Sequence, residues 1–111
     1  MVKRASNTRH ACVLGGAGFL GSHVADQLTA AGYAVRIFDR MESKWRRADQ
    51  RMIVGDVLDV DGLRSAVEGC DIVYNFAALA DLNDALGKPI ETARVNVLGA
   101  VNALEASRAA G

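Results

Sequence analysis

The sequence has 111 residues, of which half are hydrophobic and 23% are charged, and this composition predicts one folded domain with an apolar core. Thirteen basic and thirteen acidic side chains give a net charge of zero, which argues against a partner such as nucleic acid or another polyanion. The sequence has neither an apolar run long enough to cross a membrane nor a signal-peptide pattern, so we expect a cytoplasmic protein with no membrane partner.

The first half of the chain alternates between strand-like and helix-like segments. Residues 1–10 are polar and basic and are typical of a flexible tail. Residues 11–14 predict a strand, and residues 22–31 predict a helix that Gly32 is well placed to end. A second strand is predicted over residues 34–38 because this run is rich in β-forming side chains.

The second half continues the alternation. The polar and charged residues 41–50 predict a surface loop, and residues 52–54 predict a short strand. Residues 60–67 carry apolar side chains at helical spacing, residues 72–76 predict a fourth strand, and residues 90–110 predict a long helix. In this last helix, apolar residues recur at intervals of three and four and form an amphipathic stripe: Val97, Ala100, Val101 and Leu104.

Strands that alternate with helices in this way predict parallel pairing through right-handed crossovers. The expected fold class is α/β, a Rossmann-type doubly wound parallel sheet in the strand order 3-2-1-4. Four strands make only the N-terminal half of such a sheet, because a complete dinucleotide-binding sheet has further strands. We therefore expect residues 11–111 to form one truncated domain of this type.

Three glycines between the first strand and the first helix carry the strongest functional signal. Gly15 allows the chain to turn sharply off the strand, Gly18 lets a pyrophosphate approach the backbone, and Gly21 lets the helix pack close to the strand. The free N–H groups and the positive dipole end of the helix would then face the phosphates. This turn predicts a dinucleotide site.

Acidic residues that follow the second and third strands refine this prediction. The carboxylate of Asp39 can accept hydrogen bonds from both hydroxyls of an adenine ribose, and it would repel a 2′-phosphate. NAD is therefore favoured over NADP, although the neighbouring Arg40 could bind a phosphate. Two interpretations of Asp56 stay open: it contacts the amine of the adenine, or it is a helix N-cap or loop residue.

Small residues follow the fourth strand and leave space there for the pyrophosphate and the nicotinamide ribose. They include Ala77, Ala78 and Ala80. No metal site is predicted, because Cys12 and Cys70 form no CxxC pair and have no clustered histidines. We expect both cysteines to be small buried hydrophobic residues.

Together these motifs resemble the extended short-chain dehydrogenase/reductase superfamily, and within it the NAD-dependent epimerase/dehydratase family. The three glycines match its Gly-x-x-Gly-x-x-Gly, Asp39 matches its strand-two acid, and Asp56 with Val57 matches its adenine-side pair. Residues 96–106 match its helix motif Asn-Val-x-Gly-x-x-Asn-x-Leu-Glu-Ala. The residues of its turn after strand four are also present: Phe76, Ala77 and Ala78.

The resemblance implies a function. It implies the NAD-binding portion of a nucleotide-sugar epimerase, dehydratase or reductase, which works by hydride transfer to and from the nicotinamide cofactor. It also implies that Phe19 and Leu20 border the pyrophosphate and that Asn96 stabilises a loop near the active site. The partners that follow are NAD and, in the full-length protein, a nucleotide sugar.

The chain departs from the family pattern in two ways. Leu14 stands where the family commonly has Thr or Ser before the first glycine, which removes a hydroxyl but should not abolish binding. The Tyr-x-x-x-Lys pair of the family is absent, because neither Tyr33 nor Tyr74 has a lysine four residues later. We therefore assign no catalytic residue.

A non-catalytic NAD-binding sensor, or a subunit completed by another chain, remains the alternative function. An exposed fourth strand would favour a homo-oligomer.

Overall fold

The computed structural model describes residues 8–78 and 86–111, which form a parallel four-stranded sheet with helices on both faces. The strand order is β3-β2-β1-β4, which confirms the predicted fold class and the order 3-2-1-4. Within the described ranges, no helix combines the length and the apolar character needed to span a membrane. The elements in chain order are β1 (His10–Leu14), α1 (Phe19–Ala30), β2 (Ala34–Asp39), β3 (Arg51–Val54), α2 (Val60–Val67), β4 (Ile72–Asn75), α3 (Pro89–Ala93), a π-helical turn (Arg94–Leu98) and α4 (Gly99–Ala110).

The central strand β1 is buried on both of its faces. Ala11 and Val13 belong to the apolar cluster that includes side chains of α1, whereas Cys12 and Leu14 belong to the cluster that includes side chains of α2 and α4. All four side chains are fully buried. Because both faces are covered, this strand is an unbroken apolar run rather than an alternation of apolar and polar residues.

Several element boundaries differ from the predicted ones. The strand β1 includes His10, which the sequence placed in the tail, and the first seven residues of that tail lie outside the described residues. The helix α1 begins at Phe19 rather than at residue 22, so Phe19 and Leu20 form its first turn. The strand β4 ends at Asn75, although the N–H of Phe76 still donates to the carbonyl of Leu14 at 2.8 Å.

The last helical segment packs through a face other than the predicted stripe. Val97, Val101 and Leu104 are 64%, 52% and 73% exposed. Small residues make the buried contacts instead, because they allow α4 to approach its neighbours closely: Gly99, Ala103 and Ala106. A Cβ on Gly99 would lie 2.8 Å from Cγ2 of Val57. An amphipathic stripe ordinarily faces the core, but here three of its four members are exposed.

The loop over residues 41–50 is tied to α1 by one buried polar side chain. Gln50 is 2% exposed, and its Nε2 donates to Oδ1 of Asp26 and to Oγ1 of Thr29, both at 3.0 Å. Its Oε1 accepts from the N–H of Arg47 at 2.9 Å. The loop that follows Asp39 therefore has a defined position against the first helix.

Candidate functional site

The carboxyl ends of the strands surround a cavity of about 550 Å³. Parallel strands end at the same edge of a sheet, so the turns that follow them meet there although they are distant in sequence. The lining brings together eight residues that the sequence predicted for the site: Gly15, Gly18, Asp39, Arg40, Val57, Phe76, Ala77 and Ala78. The predicted residue Ala80 lies outside the described residues.

The glycine turn packs backbone directly on backbone. Gly15 has φ +77°, and a Cβ there would lie 2.6 Å from the carbonyl carbon of Phe76 and 2.7 Å from the nitrogen of Ala77. A Cβ on Gly21 would overlap the carbonyl oxygen of Gly15 and would lie 3.0 Å from Cα of Gly16. These two predicted glycines are therefore required by the packing of the turn itself.

Gly18 has a different environment. Among the residues that the structure describes, a Cβ there would meet only the carbonyl oxygen of Gly15 at 3.4 Å, and the backbone has φ −76°, so packing against these residues does not demand glycine. Gly18 is the N-cap of α1, which has neither a side-chain cap nor an acidic residue in its first turn. The helix α2, by contrast, is capped by Asp59. The N–H groups of the first turn of α1 therefore have no capping side chain at Gly18, and a helix N-terminus of this kind attracts anions.

Asp39 stands at the end of β2 beside the glycine turn. Its Oδ2 accepts from the N–H of Ala17 at 3.1 Å, and its Oδ1 accepts from the N–H of Met41 at 3.3 Å. Two backbone donors from separate segments therefore fix the carboxylate at the cavity wall. A carboxylate has about four acceptor sites, so lone pairs remain for two hydroxyl donors.

Asp56 is a loop residue. Its Oδ1 accepts from the N–H of Leu58 at 2.9 Å, and its carbonyl accepts from the N–H of Asp59 at 2.9 Å. The N-cap of α2 is Asp59, whose Oδ1 accepts from the N–H of Gly62 at 3.2 Å. The N-cap interpretation of Asp56 is therefore wrong. Asp56 is absent from the cavity lining, and its contact with adenine stays a prediction.

Four other predicted residues lie outside the cavity lining: Phe19, Leu20, Gly21 and Asn96. Phe19 and Leu20 occupy the first turn of α1 and are 76% and 59% exposed. The ring of Phe19 lies 4.7 Å from that of His23 in an edge-to-face arrangement. Asn96 lies in the π-helical turn and is exposed. The roles that the family resemblance implies for these side chains stay predictions.

The cavity also contains residues that the sequence did not indicate. The sequence could have indicated Gly55, since this glycine directly follows β3 as Gly15 follows β1. In the structure, a Cβ at Gly55 would lie 2.6 Å from the ring of Phe38. Val95 carried no such signal because its position depends on how the last helical segment packs. The complete set of missed lining residues is Phe38, Met41, Gly55 and Val95.

The two cysteines have a packing role away from this cavity. Cys12 is fully buried, as predicted, whereas Cys70, which was also predicted to be buried, is only partly buried beside it. A hydrogen bond with the Cys70 thiol, together with burial, raises the pKa of the Cys12 thiol far above its ordinary value. Cys12 is therefore a neutral thiol at physiological pH. Among the residues that the structure describes, no three His, Cys, Asp or Glu side chains group as metal ligands.

Comparison with known proteins relates this geometry to enzymes. The model of the NAD dependent epimerase/dehydratase family matches residues 11–111. Human sterol-4-alpha-carboxylate 3-dehydrogenase (decarboxylating) is 32% identical over 106 residues, which are 96% of this chain and 27% of that protein. UDP-glucose 4-epimerase from Corynebacterium glutamicum is 38% identical over 102 residues, which are 89% of this chain and 31% of that protein.

A solved structure with a similar fold is also that of an epimerase. UDP-glucose 4-epimerase from Brucella ovis, in complex with NAD, has a TM-score of 0.83 and 33% identity, and the match covers 93% of this chain. This chain spans 33% of that structure. The chain therefore corresponds to a minor part of the length of each of these three relatives.

Proposed function

Because the chain belongs to the NAD dependent epimerase/dehydratase family, we propose that it is the NAD-binding portion of an enzyme that acts on nucleotide sugars by hydride transfer. One observation supports this proposal most: the uncapped start of α1 at Gly18 and the fixed carboxylate of Asp39 share one cavity. The first suits the pyrophosphate and the second suits the ribose of an adenine dinucleotide. Bound NAD supplies the hydride acceptor and donor.

The glycine turn would hold the pyrophosphate. The open side of Gly18 admits a phosphate oxygen to the backbone, and the N–H groups of the first turn of α1 donate to it. Phe19 and Leu20 border this position from the same turn. No cationic side chain is needed here, because the helix terminus contributes a partial positive charge of about half a unit.

Asp39 would bind the adenine ribose. Its carboxylate keeps its orientation through the N–H groups of Ala17 and Met41, and it accepts from the two ribose hydroxyls. The adenine would lie toward the turn after β3, where Val57 forms part of the wall and Asp56 stands next to it. Nδ2 of Asn102 donates to the carbonyl of Val57 at 2.9 Å, so α4 supports this side of the cavity.

The substrate class is the less constrained part of the proposal. The epimerase relatives favour a nucleotide sugar, whereas the human relative, a sterol dehydrogenase, favours a sterol as the second candidate. Both classes present an alcohol carbon from which a hydride can pass to a nicotinamide ring. The non-catalytic alternative has no support from these relatives, which are named as a dehydrogenase and as epimerases.

A binding titration tests the cofactor part of the proposal. We expect NADH to bind in calorimetry and Asp39→Ala to weaken that binding about tenfold or more, since two hydrogen bonds to a charged group are lost. Asp49→Ala is the matched control, because Asp49 is an exposed acid in the loop after β2 and is not part of the cavity lining. Equal affinity of the wild-type and Asp39→Ala proteins would contradict the assigned role.

An activity assay tests the substrate part. Interconversion of UDP-glucose and UDP-galactose by the full-length protein would support the nucleotide-sugar assignment. Oxidation of a 3β-hydroxysterol instead would favour the second candidate. Binding of NADH with no turnover of either class would contradict both substrate assignments.

We also propose that the 111-residue chain, taken alone, self-associates. In the described part of the chain, β4 pairs only with β1, and Ile72 on this strand is 37% exposed. Val97, Val101 and Leu104 form a second exposed apolar face. Exposed apolar surfaces of this kind mark interaction sites. Sedimentation equilibrium that shows only monomer over a wide concentration range would contradict this expectation.

A further inference from the structure

An ion pair joins the end of β2 to the short helix α3. Nη1 of Arg40 lies 3.9 Å from Oε1 of Glu91, and the two side chains are 56% and 47% exposed. Arg40 directly follows Asp39 and lines the cavity, whereas Glu91 comes from a segment far away in sequence. The only cation at this wall therefore has an anionic partner, counting the residues that the structure describes.

This pairing affects the choice between the two nicotinamide dinucleotides. NADP carries a 2′-phosphate where NAD has a hydroxyl, and this group brings a charge of about −1.5 to −2 near pH 7. Asp39 remains in place through two backbone donors and would repel that phosphate. Arg40 is the cavity-lining group that could neutralise it, and to do so it must leave Glu91.

We propose that Glu91 is a specificity-determining residue that holds Arg40 away from the 2′ position and thereby favours NAD over NADP. This inference rests on the proposed dinucleotide site. Binding of NADP is weakened only by the free-energy difference between Arg40 paired with Glu91 and Arg40 released to the 2′-phosphate. That difference is the loss of one exposed ion pair. Pairs of this kind shift an equilibrium by a factor of about two to five.

The test compares the dissociation constants of NADH and NADPH in the full-length protein at low ionic strength. We expect Glu91→Gln to tighten NADPH about two- to fivefold and to change NADH by less than about 1.5-fold. Glu68→Gln removes the same charge from the exposed end of α2, away from the cavity lining, and should change neither constant. The gain for NADPH should shrink in about 0.5 M salt, because exposed charges are screened.

A double-mutant cycle separates the Arg40 route from direct repulsion between Glu91 and the phosphate. In an Arg40→Gln background, Glu91→Gln should no longer tighten NADPH, because no cation remains to be released. An undiminished gain in that background would overturn the inference, and so would an unchanged NADPH-to-NADH ratio in Glu91→Gln. If that ratio is unchanged while NADH still binds and Asp39→Ala still weakens NADH binding, only this inference is refuted. A wild-type protein that binds neither dinucleotide refutes the proposed function as well.

Discussion

The glycine turn allows one chemical change, the addition of a methyl group, to separate a folding role from a binding role. In Gly21→Ala the new Cβ would overlap the carbonyl oxygen of Gly15 and would lie 2.9 Å from its carbonyl carbon. In Gly18→Ala the new Cβ would meet that oxygen only at 3.4 Å, which is an acceptable contact. Both positions lie at the start of α1, so they form a matched pair.

The expected magnitudes follow from competing terms. Within an unobstructed helix, replacement of glycine by alanine stabilises by about 1 kcal/mol. At Gly21 the obstruction is backbone rather than a flexible side chain, and overpacking typically costs about 1–3 kcal/mol or more. The overlap with backbone places Gly21→Ala at the upper end of this range, at about 2–3 kcal/mol, so the net loss should be about 1–2 kcal/mol. Gly18→Ala should lose less than about 1 kcal/mol, because alanine is only a poorer N-cap.

Urea denaturation and NADH calorimetry read the two roles separately. Gly21→Ala should unfold at a lower urea concentration than the wild type. Gly18→Ala should stay close to the wild type in stability but lose NADH affinity about tenfold or more, since a methyl group would stand where a phosphate oxygen approaches the backbone. A stabilised Gly21→Ala protein would refute the steric argument. Normal NADH binding by Gly18→Ala would refute the assigned phosphate position.

Two further predictions concern the core. Gln50→Leu should destabilise the protein by about 1–3 kcal/mol in urea denaturation, because it removes the three part-buried hydrogen bonds of the buried Gln50 side chain. Gln27→Leu, on the exposed face of α1, should change stability by less than about 0.5 kcal/mol, and equal losses in the two variants would contradict the anchoring role of Gln50. The raised pKa of Cys12 means that its contribution to stability is present below its ordinary pKa of 9.0 and is lost as pH rises above it, when only the unfolded chain releases the proton. The free energy of unfolding should then fall by up to about 1.4 kcal/mol per pH unit more steeply in the wild type than in Cys12→Ala, and identical slopes would contradict this cause.

The fold, and the grouping of three predicted residues at one cavity, were predictable because their signals are local. A glycine turn between a strand and a helix, and an acid at the next strand end, specify neighbouring turns as soon as the strands pair in parallel. The structure accordingly brings Gly15, Gly18 and Asp39 together in one cavity. The start of α1 was misplaced because Phe19 and Leu20 were read as part of the turn, whereas they already have helical backbone.

Features that depend on packing were not predictable from the pattern. Periodicity detected an apolar stripe in the last helix but did not reveal that small residues face α2, because alanine and glycine carry little apolar signal. Val95 lines the cavity because of how the last helical segment packs, and this packing is likewise not specified by the local sequence. The pairing of Arg40 with Glu91 depends on where α3 sits, which no local motif specifies.

The backbone contacts within the glycine turn also bear on the thermodynamics of binding. Gly15 touches the turn after β4, Gly16 lies against Ile37 of β2, and Gly21 lies against Gly15. Ordering one flexible residue costs about 1–2 kcal/mol, and this turn is already immobilised by its own packing before any ligand arrives. A phosphate would therefore meet a preorganised cradle, and association should be fast and accompanied by little conformational entropy loss in the protein.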